Sequence, residues 1–177
     1  MEFNYETRIP KERVAVLLGI KGEMKKRIEK ILCIKVKVDS EDGTVVLSGN
    51  DSLNLIIGQN VVKAVGRGFN PEIALELTNE DSQLEIIDMT EFTGESKKKF
   101  IRIKARAIGE GGKARKYIEQ LTETSIVIYG KTVAIIGNYE NVNLARRAFE
   151  GLLSGQRHST VYAWLEKNMK SKKHLLY

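Results

Sequence analysis

The sequence predicts an α+β protein built from two copies of one small module. Each copy has the order β-α-α-β-β-α, with a three-stranded sheet covered by helices on one face. Three observations carry that expectation. Leu18-Gly19-Ile20-Lys21-Gly22 runs into the basic segment Glu23-Met24-Lys25-Lys26-Arg27-Ile28-Glu29, and ninety residues later Ile108-Gly109-Glu110-Gly111-Gly112 runs into Lys113-Ala114-Arg115-Lys116-Tyr117-Ile118-Glu119. After each segment, apolar residues form two short runs joined by a turn, the spacing of a hairpin. Both hairpins end in Gly-Asn, at Gly49-Asn50 and Gly137-Asn138, and helical spacing follows.

In the first copy, Phe3 to Ile9 reads as a strand, and Pro10 turns the chain into a helix over Lys11 to Leu18. The helix after Gly22 places Met24, Ile28 and Ile31 on one face. Ile34-Lys35-Val36-Lys37-Val38 alternates apolar and basic, as a half-buried strand does. Asp39-Ser40-Glu41-Asp42-Gly43 is a turn, and Thr44 to Ser48 returns. A helix from about Ser52 carries Leu53, Ile57, Val61 and Ala64. Gly66 to Pro71 ends it, and Pro71 to Leu77 adds a short helix.

In the second copy, Leu84 to Met89 is the first strand and Ser96 to Ile108 a longer basic helix, with Phe100 and Ile103 inward. After the glycine loop, Ala114, Ile118 and Leu121 share a helix face. Ser125–Tyr129 and Thr132–Ile136 form the hairpin across Gly130-Lys131, and Val142, Ala145, Phe149 and Leu152 mark the last helix. Beyond Glu166 the chain reads as a frayed basic tail. The expected division is residues 1–78, residues 79–170 and a basic tail at 171–177. The connector is not Gly/Ser-rich, so a structured joint between two packed domains is expected, not a floppy linker.

Charge separates the copies. Residues 1–78 carry 12 Lys and Arg against 11 Asp and Glu, residues 79–95 carry 0 against 6, and residues 96–177 carry 17 against 6. The overall +6 therefore hides a basic second copy, the expected seat of salt-dependent affinity for a polyanion. The single cysteine, Cys33, excludes an internal disulfide and reads as a small core residue. No apolar run approaches the roughly 18 residues of a membrane span, and no signal pattern opens the chain. A cytoplasmic protein without a membrane partner is expected.

The Gly-x-x-Gly loops carry the chemistry. Glycine lets the backbone turn without a Cβ clash and lets a phosphate come close, and the helix behind presents N–H groups and a positive dipole end. KH modules clamp single-stranded nucleotides in this way. Two tandem type I KH domains are therefore expected. The candidate RNA contacts are Gly109, Glu110, Gly111, Gly112, Lys113, Arg115, Lys116 and Arg106. In the nearly neutral first copy they are Gly19, Ile20, Lys21, Gly22, Lys25 and Lys26. The plain alternative is a glycine-capped helix turn. The cluster Lys97, Lys98, Lys99, Arg102, Lys104 and Arg106 has two readings, a solvated helix face or an extension of the backbone-contact surface.

Rival chemistries fail on spacing. Gly112-Lys113-Ala114 lacks the Ser or Thr of a P-loop, and Gly109-Glu110-Gly111-Gly112 breaks the dinucleotide fingerprint. His158 and His174 have no partners for a metal site, and no acid–base pair is visible. No cofactor, metal or catalytic residue is expected. His158 reads as a cap or contact residue, and Tyr162 and Trp164 read first as packing residues and second as a partner surface. Aromatics are too sparse for a row of stacking rings.

Three further segments are more specific: Ala64-Val65-Gly66-Arg67-Gly68-Phe69-Asn70-Pro71-Glu72, Tyr129-Gly130-Lys131-Thr132-Val133-Ala134-Ile135-Ile136-Gly137, and His158-Ser159-Thr160-Val161-Tyr162. With them, the chain from Phe3 to Lys167 resembles the archaeal form of the partner-of-Nob (Dim-two) family of ribosome-assembly proteins. The resemblance implies two KH domains that bind small-subunit (16S) rRNA near its 3′ end and assist a Nob-type endonuclease. It also implies a link to the alpha subunit of initiation factor two. The clamp carries over onto Gly109–Gly112, with Lys113, Arg115 and Lys116 behind it. The pair Glu110-Gly111 lacks the lysine expected there, so Lys113 must supply the cation. Two alternatives stay open: a general KH protein of RNA decay or translation control, and a protein scaffold with vestigial loops. The first copy either binds RNA or braces the second.

Overall fold

The computed structural model describes residues 2–175, with side chains through residue 172. The chain divides into two compact units, Met1–Ser82 and Gln83–Tyr177. The first contains β1 (Phe3–Arg8), α1 (Lys11–Leu18), α2 (Glu23–Leu32), β2 (Lys35–Val38), β3 (Thr44–Gly49), α3 (Ser52–Gly66) and a short α4 (Pro71–Ala74). β4 (Ser82–Asp88) then begins the second order, followed by α5 (Lys97–Ile108), α6 (Lys113–Thr122), β5 (Ser125–Tyr129), β6 (Thr132–Asn138), α7 (Tyr139–Leu153) and α8 (His158–Leu175). The sheets run β1-β3-β2 and β4-β6-β5, so the hairpin's returning strand is central in each. β1 pairs antiparallel with β3 from Phe3 opposite Gly49 to Arg8 opposite Thr44, and β5 pairs antiparallel with β6 from Ser125 opposite Ile136 to Tyr129 opposite Thr132.

Side-chain caps set four helix starts. Asp51 accepts the Leu53 amide at 2.9 Å, Asn70 accepts Glu72 at 3.0 Å, Ser96 accepts Lys99 at 3.2 Å and Asn138 accepts Glu140 at 3.0 Å. Arginines close two helix ends. Arg13 on α1 donates to the carbonyls of Val65 and Phe69, both at 2.8 Å, where α3 terminates. Arg106 on α5 donates to Leu152 at 3.4 Å and to the Gln156 carbonyl, where α7 turns into α8. A cation here meets the negative end of the helix dipole.

The second core follows the expected spacing. Val142, Ala145, Phe149 and Leu152 of α7 are buried against Ala114 and Ile118 of α6 and Ile103 of α5, with Phe100 partly buried beside them. The first core departs from it. On α2, Ile28 and Leu32 are buried and Ile31 is 46% exposed. On α3, Leu53 is 62% exposed, and the buried arc begins at Leu55 and continues through Gly58, Val61, Val62 and Val65. Leu53 sits at the capped open end, before the helix meets the sheet.

Two further expectations are corrected. Cys33 is exposed, not core. It is the left-handed residue (φ 52°) between α2 and β2, and this sharp turn directs Leu32 and Ile34 inward and Cys33 outward. The expected fraying beyond Glu166 is replaced by α8, which continues to Leu175. Met169 is buried and Lys172 pairs with Glu140 at 2.9 Å. Residues 176–177 of the expected tail lie outside the described residues. Among the described residues no helix is long and apolar enough to cross a membrane.

Candidate nucleic-acid interface

The two glycine loops share one backbone. Gly19 and Gly109 have φ/ψ of 71°/−178° and 75°/169°, Lys21 and Gly111 have 52°/26° and 60°/21°, and Gly22 and Gly112 have 74°/15° and 78°/13°. The glycines differ in purpose. A Cβ on Gly109 would lie 2.6 Å from the Ala114 nitrogen, and one on Gly19 2.7 Å from Cβ of Met24, so the leading glycine allows loop and helix to touch. A Cβ on Gly111 meets nothing within 4 Å, and one on Gly112 comes no nearer than 3.8 Å to any atom, so these positions stay open above the backbone. The helices behind the loops, α2 and α6, begin at Gly22 and Gly112 with no side-chain cap. Their first-turn N–H groups therefore have no side-chain acceptor in front of them, unlike those of α3, α5 and α7.

The structure sorts the basic candidates. Lys113 and Lys116 are exposed and carry no ion pair or hydrogen bond among the described residues. Arg115 is tied down: its Nη1 reaches Glu119 Oε2 and the Ile126 carbonyl, each at 3.0 Å. Arg106 holds the α7–α8 turn through its guanidinium and also borders the groove beside Gly109, Glu110 and Lys113. Lys104 donates to the Gly130 carbonyl at 2.7 Å, whereas Lys97, Lys98, Lys99 and Arg102 are exposed. In the first unit Lys21 and Lys26 are exposed, and Lys25 lies 3.9 Å from Glu29. Ile20 is 80% exposed at the loop tip, beside Lys21.

The sequence did not signal α8, because its apolar positions are diluted by polar residues. It packs through Val161, Leu165 and Met169 into the second core. His158 Nε2 donates to the Arg106 carbonyl at 2.9 Å, since a carbonyl only accepts. Tyr117 donates its hydroxyl to Glu166, and that bond, with burial, pushes the phenol up to about 12.

Residues 83–170 match the model of the eukaryotic type KH domain, type I. A KH domain-containing protein of Methanocaldococcus jannaschii is 46% identical over 164 residues, covering 90% of this chain and 71% of that relative. A crystal structure of an a/eIF2alpha-aDim2p-rRNA complex from Pyrococcus horikoshii contains a chain 40% identical to this one, with a TM-score of 0.89 over 96% of each chain. The chain belongs to the PNO1/Dim2 family. A pre-rRNA-processing protein PNO1 of Phaeosphaeria nodorum is 28% identical over 173 residues, and this chain spans 65% of its length. The α5–loop–α6 segment and β5-β6 hairpin lie within the matched KH region, and so does α8 as far as residue 170. The three segments behind the family resemblance are structural joints. They are the α3–α4 turn with buried Phe69, the β5-β6 hairpin and the first turn of α8.

Proposed function

We propose that this chain is an RNA-binding ribosome-assembly factor that holds single-stranded small-subunit rRNA near its 3′ end during pre-rRNA maturation, without cutting it. The observation that carries this reading is the glycine loop at Gly109–Gly112, with an uncapped helix and the unpaired cations Lys113 and Lys116 behind it. A phosphate there meets amide groups, a dipole end and two mobile ammonium groups. The relatives' names supply the RNA class: one is a pre-rRNA-processing protein, and another is part of a complex with rRNA and a/eIF2alpha.

On the same reading, the first unit is a second KH module, since it repeats the loop backbone and the strand order. With fewer cations it contributes less affinity. The partners are the 16S rRNA 3′ region, the alpha subunit of initiation factor two, and a Nob-type endonuclease that does the cutting. The place of action is the cytoplasm.

The test is a titration of the full chain against a 3′-end 16S rRNA fragment and an unrelated single strand of equal length, over a range of salt. Tighter binding to the rRNA, a steep salt slope and loss of both in a Gly111→Asp, Gly112→Asp double variant are expected. Equal affinity for both strands would make the chain a general RNA binder. Unchanged affinity in the folded double variant would remove the clamp. RNA cleavage that follows the protein through purification and disappears in a point variant would overturn the non-enzyme reading.

A further inference from the structure

The glycine loop of the second unit is flanked on two sides. Toward β5, Arg115 and Glu119 of α6 bond both backbone groups of Ile126. Toward α8 lies a groove bordered by Arg102, Arg106, Gly109, Lys113, His158 and Tyr162. The two sides are separated by α6 itself. Tyr117, which packs on α8, stands two residues from Arg115 and so roughly 200° around the helix.

Rings line the α8 side. His158 meets Tyr162 edge-on, with centroids 5.9 Å apart, and Tyr162 meets Tyr117 at 4.5 Å. The sequence scatters these residues over 46 positions; α8 brings them together beside the loop. The bond from His158 Nε2 to the Arg106 carbonyl fixes the ring and leaves Nδ1 as an acceptor with no protein partner among the described residues. Arg102 and Lys113 are exposed at the rim. Glu110 also borders the groove, and between the rim cations its wall is Ala105, Ala114 and the two rings. The part of a nucleotide that fits this apolar wall is the base, with its phosphates left to the cations at the rim.

We propose that this groove is a base-binding subsite: the RNA strand crosses the glycine loop, and the nucleotide next to the clamped phosphate lays its base against Tyr162 and His158. The subsite rests on the clamp reading above and extends it. It depends on α8, an element that follows the β-α-α-β-β-α order, so the module alone does not create it. The first unit ends α3 with only the four-residue α4 and a 3-10 turn, and has no counterpart. A stacked base is accepted whatever its identity, so the subsite lengthens the bound track more than it selects sequence. The Nδ1 acceptor adds a modest preference for a base or ribose donor.

The test uses the unaltered full chain and oligoribonucleotides of the 16S 3′ end, each carrying one 5-iodouridine at a successive position. After irradiation, the crosslinked residue is identified by mass spectrometry. One position is expected to crosslink to Tyr162 or His158, and its neighbour to the loop. Tyr162→Ala should weaken binding about tenfold, while Tyr162→Phe keeps the parent affinity. Crosslinks confined to the loop and β5 overturn the subsite and leave the clamp standing, whatever the Ala variant does to folding. An unaltered chain that binds no RNA overturns both.

Discussion

The Glu119 carboxylate accepts the backbone amide of Ile126 at 2.7 Å, joining α6 to the outer edge of β5. The first unit repeats the device, with Glu29 accepting Val36 at 2.8 Å, fourteen residues past its own glycine loop. In the second unit Arg115 completes it by holding the Ile126 carbonyl. Both Ile126 backbone groups on the strand edge are thus occupied before any RNA arrives. On the clamp reading proposed above, a base edge reading β5 meets Ile128, the next residue facing outward, and the expected phosphate cations are Lys113 and Lys116 rather than Arg115.

This partition makes the first prediction. Replacing Lys113 and Lys116 by Ala should flatten the log–log salt dependence of RNA binding by about 1.4, at about 0.7 per neutralised phosphate on a single strand. Arg115→Ala should leave the slope alone and lower stability by about 1–3 kcal/mol, because the Ile126 carbonyl and Glu119 lose a charged partner. Salt-titrated binding and thermal melts separate the two. A flattened slope with unchanged stability in Arg115→Ala would return that residue to the phosphate surface.

The second prediction uses the repeat as its own control. Lys21 occupies in the first loop the left-handed conformation that Gly111 holds in the second, so this backbone accepts lysine. Gly111→Lys should place a cation on the loop, steepen the salt slope by about 0.7 and tighten binding. The left-handed backbone should cost about 1 kcal/mol of stability. Weaker binding by the folded variant would show that RNA needs the bare glycine there.

The third prediction concerns the leading glycine. Gly109→Ala puts a methyl 2.6 Å from a backbone nitrogen, in a conformation open almost only to glycine. Strain and overpacking together should cost about 3 kcal/mol or more. Gly112→Ala, with open space around its Cβ, should cost about 1–2 kcal/mol. Equal melting points for the two variants would mean that loop–helix contact is not what the leading glycine provides.

Much of this architecture was legible because local signals agreed. The glycine loops, Pro10 and the Gly-Asn pairs mark boundaries that the structure keeps, and α7 buries the expected face. The misreadings have local causes. Leu53 and Ile31 fit a helical period but sit where no partner element covers them, and period alone does not report coverage. Cys33 looked buried among aliphatics, yet a left-handed turn reverses its direction. Of the site, the loops and Lys113 could be read from residue type. The internal use of Arg106 and Arg115 could not, because an arginine's partners are set by the fold: Arg106 finds carbonyls 46 and 50 residues away. The ring row on α8 is equally non-local.

The fourth prediction tests how α8 is anchored. The Tyr117 phenol is pushed up to about 12, first by donating to Glu166, then by burial, the Glu166 charge and neighbouring Tyr162. In the unfolded chain it titrates near its ordinary value of about 10. Below pH 10 both states keep the proton and the bond contributes fully. Between pH 10 and 12 the unfolded chain releases the proton while the folded chain holds it, so the contribution falls as pH rises through this window. Tyr117→Phe removes the titrating group and the bond together. The melting-temperature gap between parent and Tyr117→Phe should therefore be constant from pH 7 to 9 and shrink toward pH 12. Other tyrosines and lysines titrate in both proteins, and the difference cancels them. Glu166→Gln should reduce the gap at neutral pH by removing the charge that favours the protonated phenol. A gap that is absent at pH 7, or that widens above pH 10, would mean the hydroxyl does not tie α6 to α8, and the seating of the α8 rings beside the loop would need another support.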